Sequence, residues 1–130
     1  MIVGDLNISH TELDVYDAAA YKKYTEVHAE ERASYNHFLT QTKLVDSFRH
    51  LHPSLVKFTY WTQKYRMRDT NRGWRSDFGL VDPRFLAEEG VDGIKITESS
   101  VLDDVYGSDH CPIGLNFTIS KKQDLWFNDI

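Results

Sequence analysis

The stretch "YGSDHCPIGLNFTI" (106–119) decides how this chain is read. Its second half alternates, with Ile113, Leu115, Phe117 and Ile119 on one side and Gly114, Asn116 and Thr118 on the other. A period of two marks a half-buried β-strand. Just ahead of it, a Gly-Ser turn delivers Asp109 and His110 to the strand's mouth. An acid and an imidazole at the edge of a core are costly unless paired or used.

Working outward, "GIKIT" precedes this segment as another strand, and Pro83 and Gly90 bracket an irregular connection before it. "KFTYWTQ" and "GWRSDFGLV" are strand-like, joined by "KYRMRDTNR" as a hairpin-like loop. Residues 26–45 are expected to be helical, because Tyr35, Phe38, Leu39, Thr42 and Val45 recur at helical spacing with Glu26, Glu30 and Glu31 near the start. The apolar opening at Met1 to Val3 is expected to be a buried strand running into a polar loop, and the tail after Lys121 to be peripheral. Strands with one long helix indicate an α/β or α+β chain. No internal repeat, low-complexity tract or linker is visible.

The chain has 130 residues, 41% hydrophobic and 27% charged, enough for one globular unit. Many α/β domains run to about 200–250 residues, so length does not establish a complete one. Cys111 is the only cysteine, which rules out an internal disulfide. No apolar run approaches the roughly 20 residues that span a membrane, and no signal peptide is read at Met1. The formal net charge of -5 argues against nonspecific nucleic-acid binding. Locally the balance reverses: Lys64, Arg66, Arg68, Arg72 and Arg75 face a single acid, Asp69. Such a patch is either an electrostatic footprint for phosphate or a solvated charged loop.

Strand alternation puts Asp5 and Asn7 on one side of their segment. That pair is either a carboxylate and carboxamide set to handle a phosphate, or an Asx-turn after a strand. Asp77 stands in a β-like run where a carboxylate calls for a partner, and Asp109 with His110 repeats the pattern. A histidine bonded to a carboxylate through one ring nitrogen has its tautomer and orientation fixed. Its other nitrogen is then free to act on a phosphate oxygen. Further carboxylates can hold a hard divalent cation or orient the attacking water. Phosphodiester hydrolysis needs this set of groups, although spacing alone does not bring them together.

"GDLNISH", "VDSFRHLHP", "FTYWT", "NRGWRSDF" and "YGSDHCPIGL", in that order, resemble the second half of the exonuclease III-like abasic-site endonucleases, in the endonuclease/exonuclease/phosphatase superfamily. The resemblance runs from Met1 to about Ile119. "SFRHLHP" and "GWRSDF" are its specific parts, because "GDLN" and "SDH" are shared with lipid phosphatases of the wider superfamily. It implies an α/β fold, with residues 1–130 forming one half of a four-layered sandwich: one mixed, largely antiparallel sheet plus helices. It implies Mg²⁺-dependent (or Mn²⁺-dependent) hydrolysis 5′ to abasic sites in duplex DNA, with 3′-5′ exonuclease or 3′-phosphodiesterase activity beside it, and a nuclear location.

By the same resemblance, Asp5 activates water or assists the leaving oxygen and Asn7 bonds the scissile phosphate. Asp77 and His110 form the carboxylate–imidazole pair, and Asp109 is at the metal site together with His110, Asp5 and Asn7. Tyr60, Trp74 and Ser76 wall the pocket for a flipped-out abasic sugar. Arg66, Arg68 and Arg72 in the basic segment and Lys22 and Lys23 approach the DNA. Ser76 stands where a larger apolar residue is usual, Phe78 where a tyrosine is common, and Gly79 where a bulky residue would fill the strand. "DAAAYKKYTEVH" lacks the asparagine-rich character typical of its position.

The family's first half, with its principal metal-binding glutamate, is not in these residues. One apolar sheet face is therefore expected to be uncovered and to self-associate or meet a partner chain, and the chain alone to have little activity. The alternative is a noncatalytic fragment that binds DNA or a complementary chain. Phosphoinositide phosphatase chemistry would use the same dyad, but Trp74 and the basic loop argue against it. His50 and His52 are read as structural, since no acid or cysteine lies at ligand spacing. His10, His28 and His37 show no partner in the sequence and are expected to be exposed. Cys111 is not expected to pair with His110 as nucleophile and base, because neighbours on a strand point to opposite faces.

Overall fold

Three strands assemble around Asp77–Val81 in the computed structural model, which describes residues 1–120. Numbered along the chain, β1 is Ile2–Asp5, β2 Val45–Asp46, β3 Asp77–Val81, β4 Ile94–Val101 and β5 Ile113–Ile119. One sheet has the order β1-β3-β2, and the second is the β4-β5 hairpin. The expected single mixed sheet is thus two sheets, and every strand pairing among the described residues is antiparallel. The α/β class holds, with helices α1 (Ala18–Val27), α2 (Ala29–Thr42) and α3 (Ser47–Leu51) beside the strands. No helix among the described residues is long and apolar enough to cross a membrane.

The helical region starts earlier and stops sooner than its periodicity suggests. The Asp17 side chain accepts from the Ala20 backbone at 2.7 Å, capping a run of strong helix formers. His28 interrupts the helix with non-helical dihedrals and opens α2. Lys43 then turns left-handed, at φ 60°, which frees Val45 to enter β2. "KFTYWTQ" is extended but holds only isolated bridges, Tyr60 to Trp74 and to His110. Thr59 N and Tyr60 N both donate to Trp74 O at 2.9 Å, a two-against-one register that breaks a regular ladder. The tail after residue 120 lies outside the described residues.

Two apolar clusters form the core. Ile8, Tyr35, Phe78 and Leu80 gather Phe38, Leu39 and Leu44 from the helical side, while Phe58, Trp61 and Cys111 pack with Tyr16, Met67 and Val101. Gly79 joins the sheets: a Cβ there would meet Ser47 Oγ at 3.0 Å and Leu115 Cδ1 at 3.1 Å. That close approach explains the missing bulk. At the buried contact between α3 and β4, Ser47 Oγ and Ser99 Oγ are 2.9 Å apart.

Two strand expectations fail at their outer ends. The opening strand is not buried, with Ile2 39% and Val3 53% exposed. Along β5 the half-burial ends at Leu115, leaving Phe117 53% and Ile119 69% exposed.

Arg75 is fully buried, which removes it from the expected basic patch. Its Nε donates to Asp14 Oδ1 and its Nη2 to Asp46 Oδ2, each at 2.7 Å. Arg49 Nη2 adds a bond to Asp14 Oδ1 at 2.8 Å, and the Phe48 and Phe78 rings lie beside the Arg75 guanidinium. Burial pushes the Asp14 carboxyl up, but the Arg75 charge and the bonds from Arg75, Thr11 and Arg49 together hold it below its ordinary value. A lowered carboxylate stabilises the fold fully above its unfolded pKa, and that stability is lost as pH falls through the folded value. Urea melts should therefore lose stability below about pH 4. Asp14→Asn should cost about 3–5 kcal/mol at neutral pH, with the gap from wild type closing as the pH drops. A gap independent of pH would rule the carboxylate out.

Candidate active site

The dyad is assembled by backbone hydrogen bonds around residues 59–61. On one side Trp74 N donates to Tyr60 O at 2.9 Å. On the other, Trp61 N donates to Asp109 O at 2.9 Å and Cys111 N to Thr59 O at 2.8 Å. This short extended segment therefore sets His110 next to the start of β3. His110 Nδ1–H donates to Asp77 Oδ2 at 2.9 Å, leaving Nε2 as the nitrogen free for a substrate. The Tyr60 ring lies 4.8 Å from the imidazole, centroid to centroid.

Asp77 is positioned by a residue that sequence reading passes over. Thr59, fully buried, accepts at Oγ1 from Ser76 N at 3.0 Å and Asp77 N at 3.1 Å. Ser76 Oγ donates to Asp77 Oδ2 at 3.4 Å. Asp5 is the ladder partner of Asp77, so the two carboxylates stand on one face of neighbouring strands. Asn7 does not continue the alternation: its φ is 54°, and its N–H donates to Asp5 Oδ1 at 2.7 Å. The Asx-turn reading is thus realised. Asn7 at this turn lines a cavity of about 410 Å³.

That cavity brings together Asn7, Tyr60, Trp74, Ser76 and His110 among the expected residues. Tyr24, His28 and Thr62 line it as well, unanticipated. Asp5, Asp77 and Asp109 lie outside its lining. Among the described residues no three of His, Cys, Asp and Glu gather as a set that could hold a metal ion. Asp109 follows Ser108, whose hydroxyl donates to it at 3.3 Å, in the bend that leads into His110.

The basic residues divide. Lys22, Lys23, Arg66 and Arg72 are exposed, with Arg66 paired to Asp69 at 2.7 Å. Arg68 is half-buried and engaged by the protein's own backbone instead. Its guanidinium donates to Ser108 O at 3.2 Å, Asp103 O at 2.9 Å and Val105 O at 2.6 Å, and lies against the Trp61 and Tyr106 rings. It thereby holds the loop that leads into Asp109 and His110.

The remaining histidines are less isolated than their spacing implies. His52 Nε2 lies 2.7 Å from Glu98 Oε1, and His10 Nε2 lies 2.8 Å from Asn36 Oδ1. His28 pairs with Glu31, an i, i+3 contact that the sequence does contain, and His37 is exposed. The Cys111 thiol is buried toward Phe58 O at 3.6 Å, and burial pushes it up to about 11, which suits a packing residue and not a nucleophile.

No protein-family model matches the chain. Over 120 residues, 92% of its length, it is 36% identical to an exodeoxyribonuclease of Bacillus subtilis strain 168, of which the match covers 44%. It is 40% identical over 113 residues, 86% of its length, to a DNA-(apurinic or apyrimidinic site) endonuclease of Dictyostelium discoideum, covering 29% of that protein. The crystal structure of AP endonuclease LMAP from Leishmania major superposes with a TM-score of 0.76 at 30% identity, covering 92% of this chain and 34% of that one. The sequence and the fold thus have their counterparts among nucleases. Within that class the chain resembles exodeoxyribonucleases and AP endonucleases, and it spans less than half the length of these relatives.

Two substitutions test how the dyad is held. Thr59→Val strands two buried N–H groups and should cost about 2–4 kcal/mol in a urea melt. Arg68→Ala should raise amide hydrogen exchange across residues 103–110 while leaving β3 protected. Unchanged exchange there would show that the loop does not depend on Arg68.

Proposed function

We propose that this chain supplies the dyad side of a DNA-repair phosphodiesterase that cuts duplex DNA 5′ to an abasic site, with 3′-5′ exonuclease or 3′-phosphodiesterase activity from the same groups. One observation carries the reading: His110 Nδ1 bonded to Asp77 Oδ2 at 2.9 Å, with His110 in the wall of a cavity shared with Asn7, Tyr60 and Trp74. Water adds to phosphorus, the P–O3′ bond breaks, and the departing oxygen takes a proton to leave a 3′-hydroxyl. His110 Nε2 stabilises the phosphoryl oxygens and Asn7 donates to them, while Asp5 accepts the proton of the attacking water.

Mg²⁺, with Mn²⁺ as a substitute, is part of this proposal, its remaining oxygen ligands coming from the DNA phosphate or from protein beyond these residues. Asp109 is its proposed carboxylate here. Exposed Lys22, Lys23, Arg66 and Arg72 are the proposed backbone contacts, and a nucleus or another DNA-containing compartment the proposed location. The runner-up reading, a noncatalytic fragment that binds DNA or a complementary chain, draws on the exposed Ile2, Val3, Phe117 and Ile119. Phe117 and Ile119 share one face of β5, and an exposed apolar strip of that kind favours association.

The test is cleavage of a duplex carrying one abasic site, with and without Mg²⁺, by the purified chain. His110→Ala and Asp77→Asn should lower the rate by about 10²–10⁴-fold. Cleavage that survives both substitutions would sink the dyad reading. A folded chain that binds the duplex without cutting it, and sediments as a multimer, would favour the runner-up. In binding titrations Arg66→Ala with Arg72→Ala should reduce the salt slope by about 0.9 per lost phosphate contact.

A further inference from the structure

β5 has one edge paired and one edge open. Along Ile113–Ile119 its only strand partner among the described residues is β4. An open edge offers a row of N–H and C=O groups, a template on which another strand can pair. Natural edges block such pairing with a lysine, an inward-pointing charge or a proline. β5 carries none of these: no charged residue occurs from Cys111 to Ser120, and Pro112 stands just ahead of the strand. Its outer half also leaves Phe117 and Ile119 exposed.

The order of residues fits this strand to itself. "IGLNFTI" is apolar at 113, 115, 117 and 119, and Asn116 is its centre. Two copies laid antiparallel about that centre set Ile113 against Ile119 of the second copy and Leu115 against Phe117, apolar face on apolar face. Gly114 then meets Thr118, and Asn116 meets its own equivalent, where the two carboxamides can bond each other. A shift by one residue would oppose Leu115 to Asn116 and lose the match. The apolar rows continue across the junction. Within one copy β4 pairs Ile94 with Ile119, Ile96 with Phe117 and Val101 with Ile113, and Ile96 is buried. Joining two copies makes one row of Ile94, Ile119, Ile113 and Val101. Because the joined strands are uncharged, no like charges are opposed at the seam. The Asn116 carbonyl is turned toward β4, accepting from Thr97 Oγ1 at 3.3 Å. Asn116 therefore takes the non-hydrogen-bonded place opposite its equivalent, where side chains come closest.

We infer that β5 is a homodimerisation edge, joining two copies of this chain antiparallel in a register centred on Asn116 to make one four-stranded sheet. The interface is isologous, as a two-fold dimer requires. This rests on the runner-up reading, whose complementary chain it names as a second copy, and owes nothing to the phosphodiesterase chemistry. The paired residues begin at Ile113, past His110, so dimer and dyad can be tested apart.

The experiment is sedimentation velocity of the full chain over about 1–200 μM, where a modest interface shows its monomer–dimer equilibrium. Phe117→Lys sets a charge against Leu115 twice in each dimer and should weaken association about 10-fold or more. Phe117 is exposed, and a thermal melt checks that the variant folds. Under mild oxidation Asn116→Cys should give a disulfide-linked dimer. Thr118→Cys, which opposes Gly114, should not, and neither should the wild type with its buried Cys111. His110→Ala should sediment as the wild type does. A monomer at every concentration, association that Phe117→Lys leaves unchanged, or a dimer captured through Thr118→Cys and not Asn116→Cys would overturn the inference. So would a dimer that neither cysteine captures. A cross-linked dimer that fails to cut an abasic-site duplex would leave this inference standing and count against the phosphodiesterase reading alone.

Discussion

The structure depends on one buried charge. Arg75 is cut off from water and held between Asp14 and Asp46, so three distant parts of the chain must converge before its guanidinium is paired. Burying an ion pair gains little over burying hydrocarbon, but leaving one member unpaired is severe. The network therefore selects a geometry more than it adds stability. Arg75 N also donates to Asp14 O at 2.9 Å, so side chain and backbone hold the same register. Residues 74, 76 and 77 flank this anchor and are placed by it: Trp74 and Ser76 at the cavity, and Asp77 toward the imidazole.

From that anchor outward, the site is built by groups that never touch a substrate. Thr59 lends one hydroxyl oxygen to two neighbouring N–H groups, and Arg68 gathers three carbonyls of the loop before His110. Both satisfy backbone that would otherwise be stranded or mobile, which is how a short irregular segment attains the rigidity of a regular strand. A dyad at 2.9 Å follows from these contacts more than from the attraction of its own members.

Charge counted along the chain and charge displayed in space are different quantities here. Of the five cations between residues 64 and 75, Arg75 is in the core and Arg68 is tied to carbonyls, while Lys64, Arg66 and Arg72 face solvent. A guanidinium suits the inward role because its planar fork satisfies several acceptors at fixed angles. The apolar side chains at Phe117 and Ile119 show the converse case, where alternation marks a face without saying what covers it.

By itself the sequence determined the strands near 94–119, the α/β class and the residue types of a carboxylate–imidazole dyad, because period-two alternation and a misplaced carboxylate are local signals. It also carried the ordered motifs by which the chain resembles AP endonucleases. Only the tertiary structure decided that helix begins at Ala18, that the strands form two antiparallel sheets, that Arg75 is internal and that Arg68 is tied to loop carbonyls. Helix caps and left-handed stops at Asp17, His28 and Lys43 act through single dihedrals and bonds that periodicity averages away. The approach of Tyr24 and His28 to Trp74 in one cavity spans 46 or more residues of chain. Contacts at that separation come from packing, and packing leaves no period to read.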